Sequence, residues 1–389
     1  MDIKIKNIIA PQISLLLAFH ILTCNSLKNQ VLGTLRLVIL YCNLSKSNLI
    51  KKRLKNNYLL FFIILLLTLF STSNIHAQGM NVTGLEKTWD LSKTEINRNY
   101  YQRVFKNLNR DNVEGIRLPI DLNYFLNQAN NQEKRKFKKL IKNIVSYQKQ
   151  NTPLVLAYFN HNLTHENYKA EANLIAKNWI ILLQILEKEQ ALSKNLFLEI
   201  ANEPTIYPHQ WRESAKIIIE QIRSCYPNLH LIVGSSNYNS IYELSRLEPL
   251  PYENIIYTFH FYEPFIFTHQ GTEWTGPQNS TTGIPFPFPD STKRNMPDLA
   301  PQAKGTPGEI NYRDYQHTGT LEAINHKISS VANWRDTYGV ETWCTEYGVT
   351  QNADSESRRK YLQKVSKTLK AYNIPGFIWE YEGNFGVYK

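Results

Sequence analysis

Two rhythms of apolar and polar positions alternate along this chain. From Gly79 onward, short runs rich in Val, Ile, Leu and Phe are separated by longer stretches whose apolar residues recur every three or four positions. Eight short runs stand out, at 79–84, 115–119, 153–159, 196–201, 230–234, 255–259, 341–345 and 375–379. Their length and their β-branched content read as strands. Between them, 133–148 places Phe137, Leu140, Ile141, Ile144 and Val145 on one helical face, and 170–187 and 210–225 repeat that periodicity. A further helix is predicted over 355–372, entered through a cap signal at Asp354/Ser355. Strands that alternate with helices imply βα units and a parallel sheet. Eight of them favour a closed α/β barrel of the (β/α)8 type over an open sheet.

Two irregularities break the pattern. The connection from 261 to about 319 is long and dense in Pro, Gly and aromatic residues. At the C-terminal end of a barrel strand such a loop is usually functional. The chain also stops ten residues after Trp379, too soon for an eighth helix. The expected barrel therefore lacks that helix, and the outward residues of its eighth strand are expected to lose their cover.

Composition is ordinary for a soluble globular protein, with 42% apolar and 20% charged residues. The net charge of +11 at first suggests a polyanionic partner. Its distribution removes that suggestion. Residues 1–77 hold nine Lys/Arg against Asp2 alone, a net of +8, which leaves +3 for residues 78–389. A nucleic-acid partner is thus not expected. Within the leader, Lys51, Lys52, Arg53 and Lys55 precede the apolar run 58–70, and Ile75-His76-Ala77 forms an acceptable cleavage site. Residues 51–77 accordingly read as a signal-peptide-like segment. It implies a secreted or periplasmic product starting near Gln78, held at a membrane only if the leader stays uncleaved. Residues 1–50 carry two more apolar runs to which no function is assigned. The expected layout is a leader, 1–77, and one catalytic barrel, 78–389, acting as a monomer. Of four cysteines, only Cys225 and Cys344 lie in the barrel. Both are expected as free thiols, with Cys344 facing the barrel interior beside Glu346 by strand alternation.

The chemistry-bearing residues gather at strand ends. Arg117, His161, Asn202, Glu203, His260, Tyr262, Glu346 and Trp379 each stand in or just after a predicted strand. In a (β/α)8 barrel those ends share one mouth, where active sites are built. Two carboxylates there, Glu203 and Glu346, suit glycoside hydrolysis, which needs one protonated acid and one ionised partner. Arg117 would hold Glu346 ionised, the Tyr262 hydroxyl can bond the same carboxylate, and Trp379 offers a flat face to a sugar ring.

The stretch Phe197-Leu-Glu-Ile-Ala-Asn-Glu-Pro204 resembles the acid/base signature of glycoside hydrolase family 5, and Trp343-Cys-Thr-Glu-Tyr-Gly348 resembles its nucleophile strand. The ordered set Arg117, His161, Asn202, Glu203, His260, Tyr262, Glu346 and Trp379 matches the family's usual order, though Phe159-Asn160-His161 departs from the common wording. The run from His260 to Gly271 is similar to that of bacterial cellulases. The resemblance covers about 79–389. It implies a TIM barrel, retaining hydrolysis with Glu203 as acid/base and Glu346 as nucleophile, no cofactor, and a β-1,4-glucan or mannan substrate. The expectation is an endo-acting, cellulase-like β-1,4-glucanase, with a β-mannanase or other β-glycanase as the alternative.

Other readings compete. Arg117 can pair with Glu199 beneath the site as well as border it. Asn202 can cap a helix. His161 and His260 are read as substrate-orienting residues. Trp274 reads equally as lid packing or sugar platform. Glu263, Glu380 and Glu382 also lie near strand ends. A metal-dependent hydrolase built on His161, His260 and His269 is the sharp alternative, but no metal is expected. A carbohydrate-binding protein that has lost catalysis is the remaining class.

Overall fold

The structure, a computed structural model, describes residues 79–86, 97–149, 152–289 and 296–388. The leader 1–77, its signal-like segment and the start near Gln78 lie outside the described residues. Each of the eight predicted runs forms a strand: β1 (Gly79–Asn81), β2 (Ile116–Ile120), β3 (Leu154–Tyr158), β4 (Leu196–Glu199), β5 (His230–Gly234), β6 (Ile255–Phe261), β7 (Glu341–Tyr347) and β8 (Gly376–Ile378). All pair in parallel with their sequence neighbours, and β8 returns to β1, closing the barrel.

The longer helices wrap this barrel: α1 (Arg98–Arg110), α2 (Asn131–Tyr147), α3 (Tyr168–Lys188), α4 (Pro208–Cys225), α5 (Pro307–Thr318), α6 (Leu321–Tyr338) and α7 (Ser355–Ala371). Local chemistry fixes their starts. Asn130 and Glu133 make a reciprocal capping box on α2. The Asp354 side chain accepts from the Ser357 N–H at the predicted start of α7. The predicted faces are the buried ones, for example Phe137, Leu140, Ile141 and Ile144 of α2.

Two apolar layers result. Outward strand residues pack against the helices in one large cluster. Inside the barrel, Val155, Ile232, Ile256, Trp343 and Phe377 form a separate floor at the N-terminal end. A cavity of about 360 Å³ opens below that floor, with Glu114 and Lys370 as the charged groups on its wall.

Two expectations change. No helix follows β8 among the described residues, yet the outward Ile378 stays buried. Residues 380–388 double back beside it. The Tyr381 N–H donates to the Asn81 carbonyl and the Tyr388 N–H to that of Tyr381. The rings of Tyr381 and Tyr388 stack at 4.4 Å, and their hydroxyls meet Asn107 of α1 and Asp111. This hairpin lies along the seam between β1, β8 and α1, where the outer strand face was expected bare. Secondly, Cys344 faces outward, away from Glu346. β7 holds an extra residue opposite β6, where Phe259 pairs with Cys344 but His260 pairs with Glu346. That bulge resets the alternation at Thr345. Cys344 is a buried free thiol in the outer cluster, and Cys225 is free and exposed.

Candidate active site

The bulge has a direct consequence at the mouth. Thr345 and Glu346 both point inward, and both reach His260 of β6. At the centre lies Arg117 of β2, fully buried. Its guanidinium makes two 2.7 Å bonds to Glu199 of β4, one of 2.7 Å to Glu346 Oε1, one of 2.7 Å to Asn202 Oδ1 and one of 2.8 Å to Asn81 Oδ1. Arg117 therefore pairs with Glu199 and holds Glu346 at the same time. Burial works against its charge, but the two carboxylates outweigh burial and raise its pKa.

Glu346 is held at both oxygens, since the Tyr262 hydroxyl donates to Oε2 over 2.8 Å. Burial, with Glu203 beside it, raises this carboxyl above its ordinary value, and Arg117 and the Tyr262 bond oppose that rise without overturning it. The two donated bonds favour the ionised form. Glu203 sits opposite, at the end of β4, where its backbone enters the left-handed region with φ of 39°. Its Oε1 lies 2.7 Å from His260 Nδ1. Burial lifts Glu203 to about 7, against the pull of Arg117 and His161. One oxygen of Glu203, one of Glu346 and a ring nitrogen of His260 all lie within 4.8 Å of one another. Burial lowers the pKa of His260, so that the ring is neutral near pH 7.

The other expected residues surround this pair. Asn202 is anchored through its N–H to the Tyr158 carbonyl and does not cap a helix; α4 starts after Tyr207. Trp379 is only 7% exposed, its ring parallel to that of Phe159 with centroids 6.1 Å apart. Phe385 joins them, with Tyr262 packed alongside. His161 is exposed and lines a small cleft with Asn202 and Glu203. His161, His260 and His269 do not converge as a cluster of ligands among the described residues. His269 instead stacks on Phe265 at 3.9 Å, and burial lowers its pKa to about 3. Glu263 pairs with Lys327 and Glu382 with Arg103, while Glu380 accepts from the Thr83 hydroxyl. In the long connection, the Thr268 hydroxyl donates to the Tyr262 carbonyl, and Gln270 bonds both Phe267 and Ile284. Trp274 on this loop is exposed, with its ring 6.2 Å from Phe385.

The model of the family described as Cellulase (glycosyl hydrolase family 5) matches residues 73–385. The chain belongs to glycosyl hydrolase family 5. Among curated relatives, Endoglucanase 3 of Fibrobacter succinogenes is 26% identical over 330 residues, covering 79% of this chain and 48% of that protein. The chain thus spans about half the length of that relative. A solved hyperthermophilic endo-β-1,4-glucanase in complex with substrate matches with a TM-score of 0.62 and 23% identity, over 81% of this chain and 92% of that one. The Thermotoga maritima Cel5A structure with mannotriose matches with a TM-score of 0.59 and 20% identity, over 81% and 93%. At those identities the structures speak for the fold.

Several residues of this family 5 mouth escaped the sequence reading. Asn81 ties β1 to three other strands, donating to the Thr345 and Ile378 carbonyls while accepting from Arg117. Thr258 and Thr345 pair at 2.7 Å beneath His260. Asn239 reaches His260 Nε2 at 3.2 Å. Asn81 and Thr258 lie on predicted strands, and their polar character amid apolar neighbours was the available signal. Asn239 offered none.

Proposed function

We propose that this chain is a retaining, endo-acting β-1,4-glucanase that works by double displacement. The carrying observation is the close approach of Glu203 and Glu346, whose facing oxygens lie within 4.8 Å. Retaining enzymes hold their carboxyls roughly 5–5.5 Å apart, whereas inverting ones leave roughly 6.5–9.5 Å for a water. Glu346, kept ionised by Arg117 and Tyr262, attacks the anomeric carbon, and Glu203 gives its proton to the departing glycosidic oxygen. In the second half Glu203, now ionised, takes a proton from water, which cleaves the glycosyl ester and frees Glu346. A value near 7 lets Glu203 alternate between these states.

The glucan preference draws on the names of the relatives, and the Cel5A–mannotriose complex keeps a β-mannanase as the second reading. Reducing-sugar release by the protein on a panel of β-glucans and mannans tests both. A fast loss of viscosity on a soluble cellulose marks endo action. No release from any polysaccharide would favour the carbohydrate-binding reading. Export through 51–77 belongs to the same proposal, and N-terminal sequencing of the secreted product near Gln78 checks it.

A further inference from the structure

His260 touches Glu203 with one ring nitrogen and depends on the other for its state. Nδ1 faces Glu203 Oε1 at 2.7 Å and Glu346 Oε2 at 3.5 Å. Nε2 faces Asn239 Nδ2 and Thr345 Oγ1, each at 3.2 Å, with Glu199 Oε1 farther off at 3.9 Å. A hydroxyl can donate or accept, so Thr345 does not choose between the two neutral tautomers. An amide N–H can only donate. In the orientation present, Nδ2 of Asn239 faces the ring, while Oδ1, buried against Gly234, has no hydrogen-bond partner.

The backbone is shaped to deliver this side chain. Asn237, Tyr238 and Asn239 occupy the left-handed region in succession, with φ of 55°, 60° and 56°. Non-glycine residues rarely enter that region singly, and a run of three is costly. The turn tucks Asn239, fully buried, under the end of β5. There Gly234 leaves the needed space, because a Cβ at that position would lie 1.9 Å from Asn239 Oδ1. Such strain persists only where the surroundings over-determine it.

We propose that Asn239 is a positioning residue that donates to His260 Nε2 and holds the ring in its Nδ1–H tautomer. Nδ1–H then donates to Glu203 Oε1 throughout the cycle, so the acid proton of Glu203 resides on Oε2. In the opposite tautomer the bare Nδ1 would draw that proton to Oε1 and away from the glycosidic oxygen. This inference rests on the acid/base role proposed for Glu203.

The test has a spectroscopic and a kinetic arm. In protein labelled with ¹⁵N-histidine, long-range ¹H–¹⁵N correlation tells the bare from the protonated ring nitrogen, and His260→Ala assigns the signal. The expected wild-type signature is protonated Nδ1 and bare Nε2. Asn239→Asp keeps the size and tolerates positive φ but presents an acceptor, and should place a proton on Nε2. Gly234→Ala, which leaves Asn239 itself intact, should disturb the same signal by displacing the amide. Kinetically, Asn239→Asp should cost about 10²-fold on an unactivated oligosaccharide and under about 10-fold on a dinitrophenyl glycoside, because only the former needs the proton. A wild-type ring protonated at Nε2, an unchanged tautomer in Asn239→Asp, or equal losses on both substrates would overturn the proposal. If neither substrate is cleaved by the wild type, the glycosidase reading fails while the ring signals still decide the tautomer.

Discussion

The two ends of one barrel are built on opposite principles. At the floor, Val155, Ile232, Ile256, Trp343 and Phe377 fill the interior with apolar side chains, and ordinary burial suffices to hold them. At the mouth β1, β2, β4, β6 and β7 bury Asn81, Arg117, Glu199, His260, Thr345 and Glu346. Buried charge is expensive unless paired and bonded, and even then a pair is weak support for stability. Here every branch of Arg117 is engaged, so the cost is compensated, and the result is a preorganised field around Glu346. The contrast teaches where to look for function. The larger cavity lies under the floor, yet the facing carboxylates lie at the mouth.

This contrast predicts that mouth and floor substitutions separate activity from stability. The largest effect belongs to Glu346→Gln. Turnover should fall by about 10⁴-fold or more on every substrate, since no glycosyl ester can form. The variant should remain folded, because Arg117 keeps both bonds to Glu199. Kinetics and a melting curve on the same sample check both halves. Residual turnover equal on good and poor leaving groups and within about tenfold of wild type would remove Glu346 from the nucleophile role.

Next comes Glu203→Gln, with an expected loss of about 10²–10⁴-fold on cellooligosaccharides and far less on dinitrophenyl glycosides. Equal losses on the two would contradict the division of labour between the carboxylates. The reverse experiment is Phe377→Ala at the floor. Truncating a buried Phe typically costs about 3–5 kcal/mol, and Phe377 is 2% exposed. Its kcat, measured well below the lowered melting temperature, should stay within about threefold of wild type. A large kcat loss there would show that floor and mouth are mechanically coupled.

What the sequence made legible follows the same division. The strands were readable because each is a short apolar run between turn signals, and their order alone implied the mouth. The eight residues singled out for the site were readable as strand-end positions, because strand ends are discrete places. α1 carried the same helical signal as the other helices and was passed over: its four buried residues, Tyr101, Val104, Phe105 and Leu108, stand at i, i+3, i+4 and i+7 among charged and amide side chains. α5 was hidden by the Pro- and Gly-rich composition of the connection that holds it. The orientation of Cys344 was misread because a one-residue bulge leaves no mark in the apolar pattern. Asn239 was invisible for a related reason: three successive left-handed residues, none of them glycine, follow no sequence rule, and only the fold shows what they reach.

The smallest effect is the most specific to the mouth, because it concerns stability against pH. Burial raises Glu203 from an ordinary 4.5 to about 7. Between those values the folded protein binds a proton that the unfolded chain has released. Stability changes with pH in proportion to protons bound unfolded minus protons bound folded, so this difference is negative and stability falls as pH rises. The Glu203 contribution is complete below about 4.5 and lost by the time pH has passed 7. Glu203→Gln cannot titrate and lacks the loss. Glu346 is also raised by burial and pulls the same way, but it is present in both proteins and largely cancels from the comparison. The melting temperature of Glu203→Gln relative to wild type should therefore increase from pH 5 to pH 8, by a few degrees, equivalent to at most about 3 kcal/mol. Phe377→Ala supplies the control, since its deficit should stay constant over that range. A Glu203→Gln difference that is also flat with pH would mean that Glu203 titrates near 4.5 in the folded protein, and that the mouth does not hold its acid protonated.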